Sequence, residues 1–149
     1  MLIRGEDEQS YIKITVDKED FMGVRFTVDA QSKGFSVSVG GIYIVTDHIT
    51  DFVSTFRTLE NKRSGEASLH SASPEAFELS LRIIDSKGHV LSSLRMKHLS
   101  YYEKLVIPCS SEICFGIDPT TLPNLLNQFE SLERDARRFT SNSTDPFLN

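Results

Sequence analysis

The sequence predicts an α+β fold. About seven mostly antiparallel strands form one or two packed sheets, with two amphipathic helices at about residues 46–63 and 118–137. Three observations carry this expectation. Apolar and polar residues alternate with period two in one segment after another. Turn signatures separate those segments at short intervals. Near Thr46 and again after Asp118, the apolar period lengthens to that of a helix.

Residues 1–9 are polar and acidic, with Glu6, Asp7 and Glu8 in a row, and read as a frayed end. Ile12, Ile14 and Val16 then alternate with Lys13 and Thr15, a strand with one wet face. Asp17 to Asp20 is a charged turn, and Val24, Phe26 and Val28 mark a second strand. Ser32-Lys33-Gly34 is a hairpin turn into Phe35, Val37 and Val39, so the three strands form an antiparallel meander. Gly40-Gly41 permits a bulge or a bend. The apolar run Ile42 to Val45 either continues the third strand or forms a separate one. Thr46 or Asp47 is the N-cap candidate of the first helix, whose stripe is Ile49, Phe52, Val53, Phe56 and Leu59. Asp47 and Asp51 near its start and Lys62 and Arg63 near its end match the helix macrodipole, and Gly65 is the expected stop.

In the second half, Ala67 and Leu69 make a short, weak strand, and Ala72-Ser73-Pro74 a turn. Phe77, Leu79, Leu81 and Ile83 form the cleanest alternation in the chain. Asp85 to Gly88 is a turn, followed by a strand with Val90, Ser92, Leu94 and Met96 on one face. After Tyr101 and Tyr102, Leu105 to Ile107 lead into Pro108, which belongs at a sheet edge or a bulge. Ile113, Phe115 and Ile117 make the last strand. Asp118-Pro119 then opens a helix, with a second possible start at Thr121 and a stripe of Leu122, Leu125, Leu126, Phe129 and Leu132. Residues 1–138 read as a single domain, and 139–149 as a polar, flexible tail.

A chain of 149 residues buries enough surface to fold without a disulfide or metal staple. The net charge of −5 argues against nucleic-acid binding and suits a basic partner. The N-terminus carries no apolar segment of the secretory kind, and no apolar run approaches a membrane span, so a cytoplasmic location is expected. Cys109 and Cys114, an odd number of residues apart around one strand, point to opposite faces and read as unpaired thiols.

No constellation argues for chemistry. His48, His70, His89 and His98 lack metal-ligand spacing. Neither cysteine sits at a nucleophile elbow, and Ser38-Val39-Gly40-Gly41 lacks the lysine of a phosphate loop. The carboxylates at 6–8, at Glu19-Asp20 and at Asp47 and Asp51 stand outside apolar surroundings that would tune them for acid–base work. Neither a catalytic site, nor a metal, nor a cofactor is therefore expected.

Three stretches carry a family likeness: SYIKITVDKED leading to GVRFTVDAQSKGFSVSVGG; the central TDHITDFVSTFRTLENKRSGEASL; and CFGIDPTTLPNLLNQFESL. Over about Tyr11 to Leu132 the chain resembles the WapI-like bacterial immunity proteins, which pair with polymorphic or contact-dependent toxins. The resemblance implies a non-catalytic cytoplasmic protein that binds and neutralises a cognate toxin domain, often a nuclease; a monomer or weak homodimer is expected. Carboxylates can stand in for phosphates in a nuclease groove. Charge and turn position then single out Asp17, Glu19 and Asp20 in the first turn, and Asp47 and Asp51 at the helix start, as partner-binding candidates. The rival is a structural, adaptor or small-ligand-binding domain, which a large apolar cavity lined by Tyr101, Tyr102 and Phe115, or self-association through an exposed strand edge, would favour. An enzyme is the third reading.

Overall fold

The computed structural model of the chain describes residues 1–73 and 75–142, with side chains through residue 139. Among these residues eight strands form two antiparallel four-stranded meanders, each followed by a helix. The first sheet has the order β1 (Leu2–Arg4), β2 (Tyr11–Glu19), β3 (Gly23–Ser32) and β4 (Phe35–Val45), followed by α1 (Thr46–Lys62). The second has β5 (Glu66–His70), β6 (Phe77–Ile83), β7 (Val90–Tyr102) and β8 (Leu105–Ile117), followed by α2 (Leu122–Asn142). The α+β expectation holds, with sheets and helices in the expected order.

The extra strand is β1, within the segment expected to fray. Ile3 pairs with Ile12 and is buried. The acidic run behind it is a built turn: Asp7 accepts the Ser10 backbone N–H at 2.8 Å and the Ser10 hydroxyl at 2.7 Å. Further on, β3 and β4 slip register opposite Gly40-Gly41, with Gly41 at φ 73°, so the glycine pair is a bulge and β4 runs through it to Val45.

The helix ends differ from expectation in detail. The N-cap of α1 is Val45, with no side-chain cap. The Thr46 N–H is met instead by the Met22 carbonyl at 3.0 Å, so tertiary structure takes the place of a capping side chain. Arg63, not Gly65, holds the left-handed position that ends α1. Both proposed starts of the last helix are used. Asp118 caps a 3-10 turn, Pro119–Thr121, by accepting the Thr120 N–H at 2.9 Å, and α2 begins directly after it. The helix continues to Asn142, past the expected end near 137 and into the first residues assigned to the tail. Residues 143–149 of that tail, and Pro74 of the turn at 72–74, lie outside the described residues.

Among the described residues the buried side chains form one cluster that takes in both sheets and both helices. At the helix contact Phe129 meets Phe52 edge-on, with ring centroids 4.8 Å apart and an interplanar angle of 72°. Phe56 lies 6.1 Å away from it. Two backbone bonds stitch the halves together: Glu6 N–H to the Gly116 carbonyl at 2.9 Å, and Ala72 N–H to the Tyr43 carbonyl at 2.8 Å.

Candidate partner-binding surface

The β2–β3 turn is organised by one carboxylate. Asp20 Oδ1 accepts the N–H groups of Met22 at 2.8 Å and Gly23 at 3.0 Å, and the Tyr43 hydroxyl at 3.0 Å. These bonds, the Met22 N–H foremost, hold its carboxyl below the usual carboxylate range against some desolvation. Burial first, and then the bond to Asp20, push the Tyr43 hydroxyl up. The same turn meets α1 through the Met22 carbonyl and Thr46 N–H. Two groups of acidic candidates, separate in sequence, thus lie at one corner of the molecule.

At that corner Asp47 and Asp51 are exposed, and Glu19 and Asp20 half-buried. Phe21 and Met22 stand exposed at the turn. Asp17 sits at a register slip in β2, exposed, where it accepts the Thr27 hydroxyl at 2.6 Å. The candidates therefore differ in what they can offer. Asp20 is committed to its own turn and Asp17 bonds to β3, whereas Asp47 and Asp51 face solvent from the helix start.

The corner continues toward the second sheet. His48, in the first turn of α1, brings Nδ1 within 3.1 Å of the His70 carbonyl at the end of β5. His70 in turn borders a groove of about 500 Å³ whose lining includes Glu75, Glu78, Arg95, Met96, Lys97 and Glu112. An ion pair between Arg95 and Glu78, at 2.8 Å, crosses its floor from strand to strand. Both partners are partly solvated, so the pair contributes little stability.

Above the groove, β7 and β8 outrun their sheet. β6 ends its pairing at Phe77 against Met96, while β7 and β8 stay paired to Tyr102 and Leu105. Past Lys97 the two strands therefore project as a ribbon, about 15–20 Å long at the usual rise per residue. Leu99, Tyr101, Tyr102, Leu105, Val106 and Ile107 are all exposed there, Tyr101 at 71% and Tyr102 at 66%. An apolar cavity lined by Tyr101, Tyr102 and Phe115 would favour the rival reading. They do not meet: the tyrosines stand at the ribbon tip, and Phe115 is buried in the core opposite Ser92.

Cys109 and Cys114 are free and exposed. Among the described residues no group of three or more His, Cys, Asp or Glu side chains is placed to hold a metal ion. No helix among them is long and apolar enough to cross a membrane.

The architecture is that of a two-sheet α+β domain. The model of the immunity protein WapI-like family matches residues 2–136, nearly the whole chain, and the chain belongs to that family. No curated protein and no solved structure matches it.

Proposed function

We propose that this chain is an immunity protein that binds and neutralises a cognate bacterial toxin domain by a stoichiometric protein–protein interaction, with no catalytic step of its own. Membership of the WapI-like family over residues 2–136 carries the reading. The chain acts in the cytoplasm, as a monomer or weak homodimer, without a cofactor and without contacting nucleic acid or membrane. A toxin that cleaves nucleic acid has a positive substrate groove, and the acidic corner suits such a groove's rim. In this reading Asp47 and Asp51 make direct contacts, Glu19 adds charge, and Asp17 and Asp20 act chiefly through the field they contribute.

Co-expression tests the reading. The toxin domain encoded beside this chain's gene is induced with and without the chain, and the chain is used to capture that domain from solution. Rescue of growth with a one-to-one complex supports the assignment. Toxicity unchanged by the chain, with no complex, removes it.

One observation favours a second reading, a non-catalytic adaptor or small-ligand-binding domain. The groove of about 500 Å³ beside His70 is within the size range of ligand sites and sets charged side chains in a mainly apolar surface.

A further inference from the structure

The β7–β8 ribbon exposes six large apolar side chains close together, Leu99, Tyr101, Tyr102, Leu105, Val106 and Ile107. An isolated two-stranded hairpin is marginal in water, and contiguous apolar patches on a soluble protein mark interaction sites. Between Leu99 and Cys109 its only charged residues are Glu103 and Lys104, which cancel, so it carries none of the chain's net charge of −5.

Register decides how the ribbon can be used. Residues directly opposite one another share a face. Tyr101 pairs with Val106 and Leu99 with Pro108, which puts these four on one face. Tyr102 pairs with Leu105 and Ser100 with Ile107, which puts Tyr102, Leu105 and Ile107 on the other. Both faces are therefore apolar. A second copy packed ribbon on ribbon would cover one face and leave the other wet, whereas a cleft covers both. Strand addition along the outer edge is disfavoured as well. β8 is the last strand of its sheet, and Pro108 interrupts its row of donors.

Location supplies the second argument. The ribbon leaves the sheet at Lys97 and Ser110, which line the groove beside His70. His70 is hydrogen-bonded to His48 at the start of α1, next to the acidic turn. The ribbon and the acidic corner thus belong to one end of the protein.

We infer that the ribbon is the toxin-docking arm: it inserts between the walls of an apolar cleft in the toxin domain, while the acidic corner meets a basic rim. This rests on the immunity reading above. The layers that form the cleft's two walls must stand about 20 Å apart, one packing spacing of about 10 Å on each face of the ribbon. Occupying it would block the toxin mechanically, whatever reaction the toxin performs.

Two triple variants test the inference: Leu99→Thr with Tyr101→Thr and Val106→Thr, and Tyr102→Thr with Leu105→Thr and Ile107→Thr. Threonine keeps strand propensity while removing apolar surface, and all six side chains are exposed, so the fold should survive. Circular dichroism and thermal melts check that. The probe is the toxin domain encoded beside the gene, titrated by calorimetry. A cleft requires both triples to weaken binding, each by about 30-fold or more, as expected for buried anchor residues. If the wild type binds and only one triple weakens it, the ribbon lies flat on its partner and the cleft is wrong. If neither does, the arm is not the docking element, although the immunity reading stands. If the wild type itself does not bind, the immunity reading falls and takes the arm's role with it. Sedimentation of the wild type alone adds a further check: a dimer abolished by either triple would make a second copy the occupant and overturn the inference.

Discussion

Phe129 joins the two halves, and its removal gives a quantitative test of the packing. The ring is fully buried and touches Phe52 and Phe56 across the helix contact. Phe129→Ala deletes the ring and leaves a cavity between elements held apart by two sheets, so the site can collapse only in part. Burial and cavity effects together cost about 3–5 kcal/mol, and the lost edge-on contacts fall within that range rather than adding to it. For a domain of this size each kcal/mol lowers the melting temperature by about 2–4 °C, so a fall of about 10 °C is expected. Urea unfolding followed by circular dichroism, together with a thermal melt, reads both quantities. Phe129→Asp puts an unpaired carboxylate in the same place and should abolish folding rather than selectively remove partner binding. An alanine variant destabilised by less than about 1.5 kcal/mol, or a folded aspartate variant that no longer binds the toxin, would refute the account of this contact.

Other perturbations separate local causes. Ala at Gly23 would bring its Cβ to 2.3 Å from the Ile44 carbonyl oxygen, forcing β3 from β4, whereas Ala at Gly41 meets nothing and only strains a φ of 73°. Gly23→Ala should therefore destabilise well beyond the roughly 1–2 kcal/mol expected for Gly41→Ala, as chemical denaturation of the two variants will show. The lowered Asp20 carboxyl contributes stability that is full above its unfolded value of 3.8 and is lost as pH falls through the folded value. Asp20→Ala should accordingly lower stability at neutral pH, with the gap to wild type closing in acid; a gap independent of pH would deny the charge a role. His89 behaves in the opposite sense. Its bond to Asp85 raises it above 6.5, so the benefit is present below that pH and fades as pH rises through the raised value. Melts of His89→Ala against wild type, at about pH 5.5 and about pH 9, should differ more at the lower pH.

Much of the fold was legible in the sequence because periodicity reports burial. The stripes of α1 and α2, and the alternation in β3 and β6, point where the structure places them; in β2 Ile12 and Ile14 do, whereas Val16, beside the register slip, is exposed. Asp118-Pro119 and Gly40-Gly41 were readable for a different reason, since capping and left-handed backbone each select a residue type. β1 was missed because three residues are too few to show a period, and its partner strand lies beyond an acidic turn that itself looks like a frayed end. The start of α1 near residue 46 was legible, but its N-cap was misjudged by a residue or two because its first N–H is satisfied from a distant carbonyl, and no local pattern records that.

The ribbon marks the limit for function. Leu99, Tyr101, Tyr102 and Leu105 to Ile107 carry the same apolar letters as a core strand. Only the length of β6 relative to β7 reveals that nothing covers them. A tight turn at Glu103 and Lys104, without the glycine or asparagine that normally marks one, concealed the hairpin further. One signal was available: Pro108 belongs at a sheet edge or a bulge, and β8 is an edge strand. The acidic candidates were legible as charges but not as neighbours, because the bond that brings them together joins Met22 to Thr46 across a hairpin.

The central claim is that this protein neutralises its toxin by occupying it. The most direct measurement is the residual activity of a fixed amount of the toxin domain as the chain is added from a small fraction of an equivalent to an excess. Stoichiometric occlusion predicts a linear fall with a sharp break at one equivalent, and recovery of intact toxin when the complex is dissociated. Complete loss of activity at a small fraction of an equivalent, with toxin left inactive or modified after separation, would contradict the account and point to an enzyme.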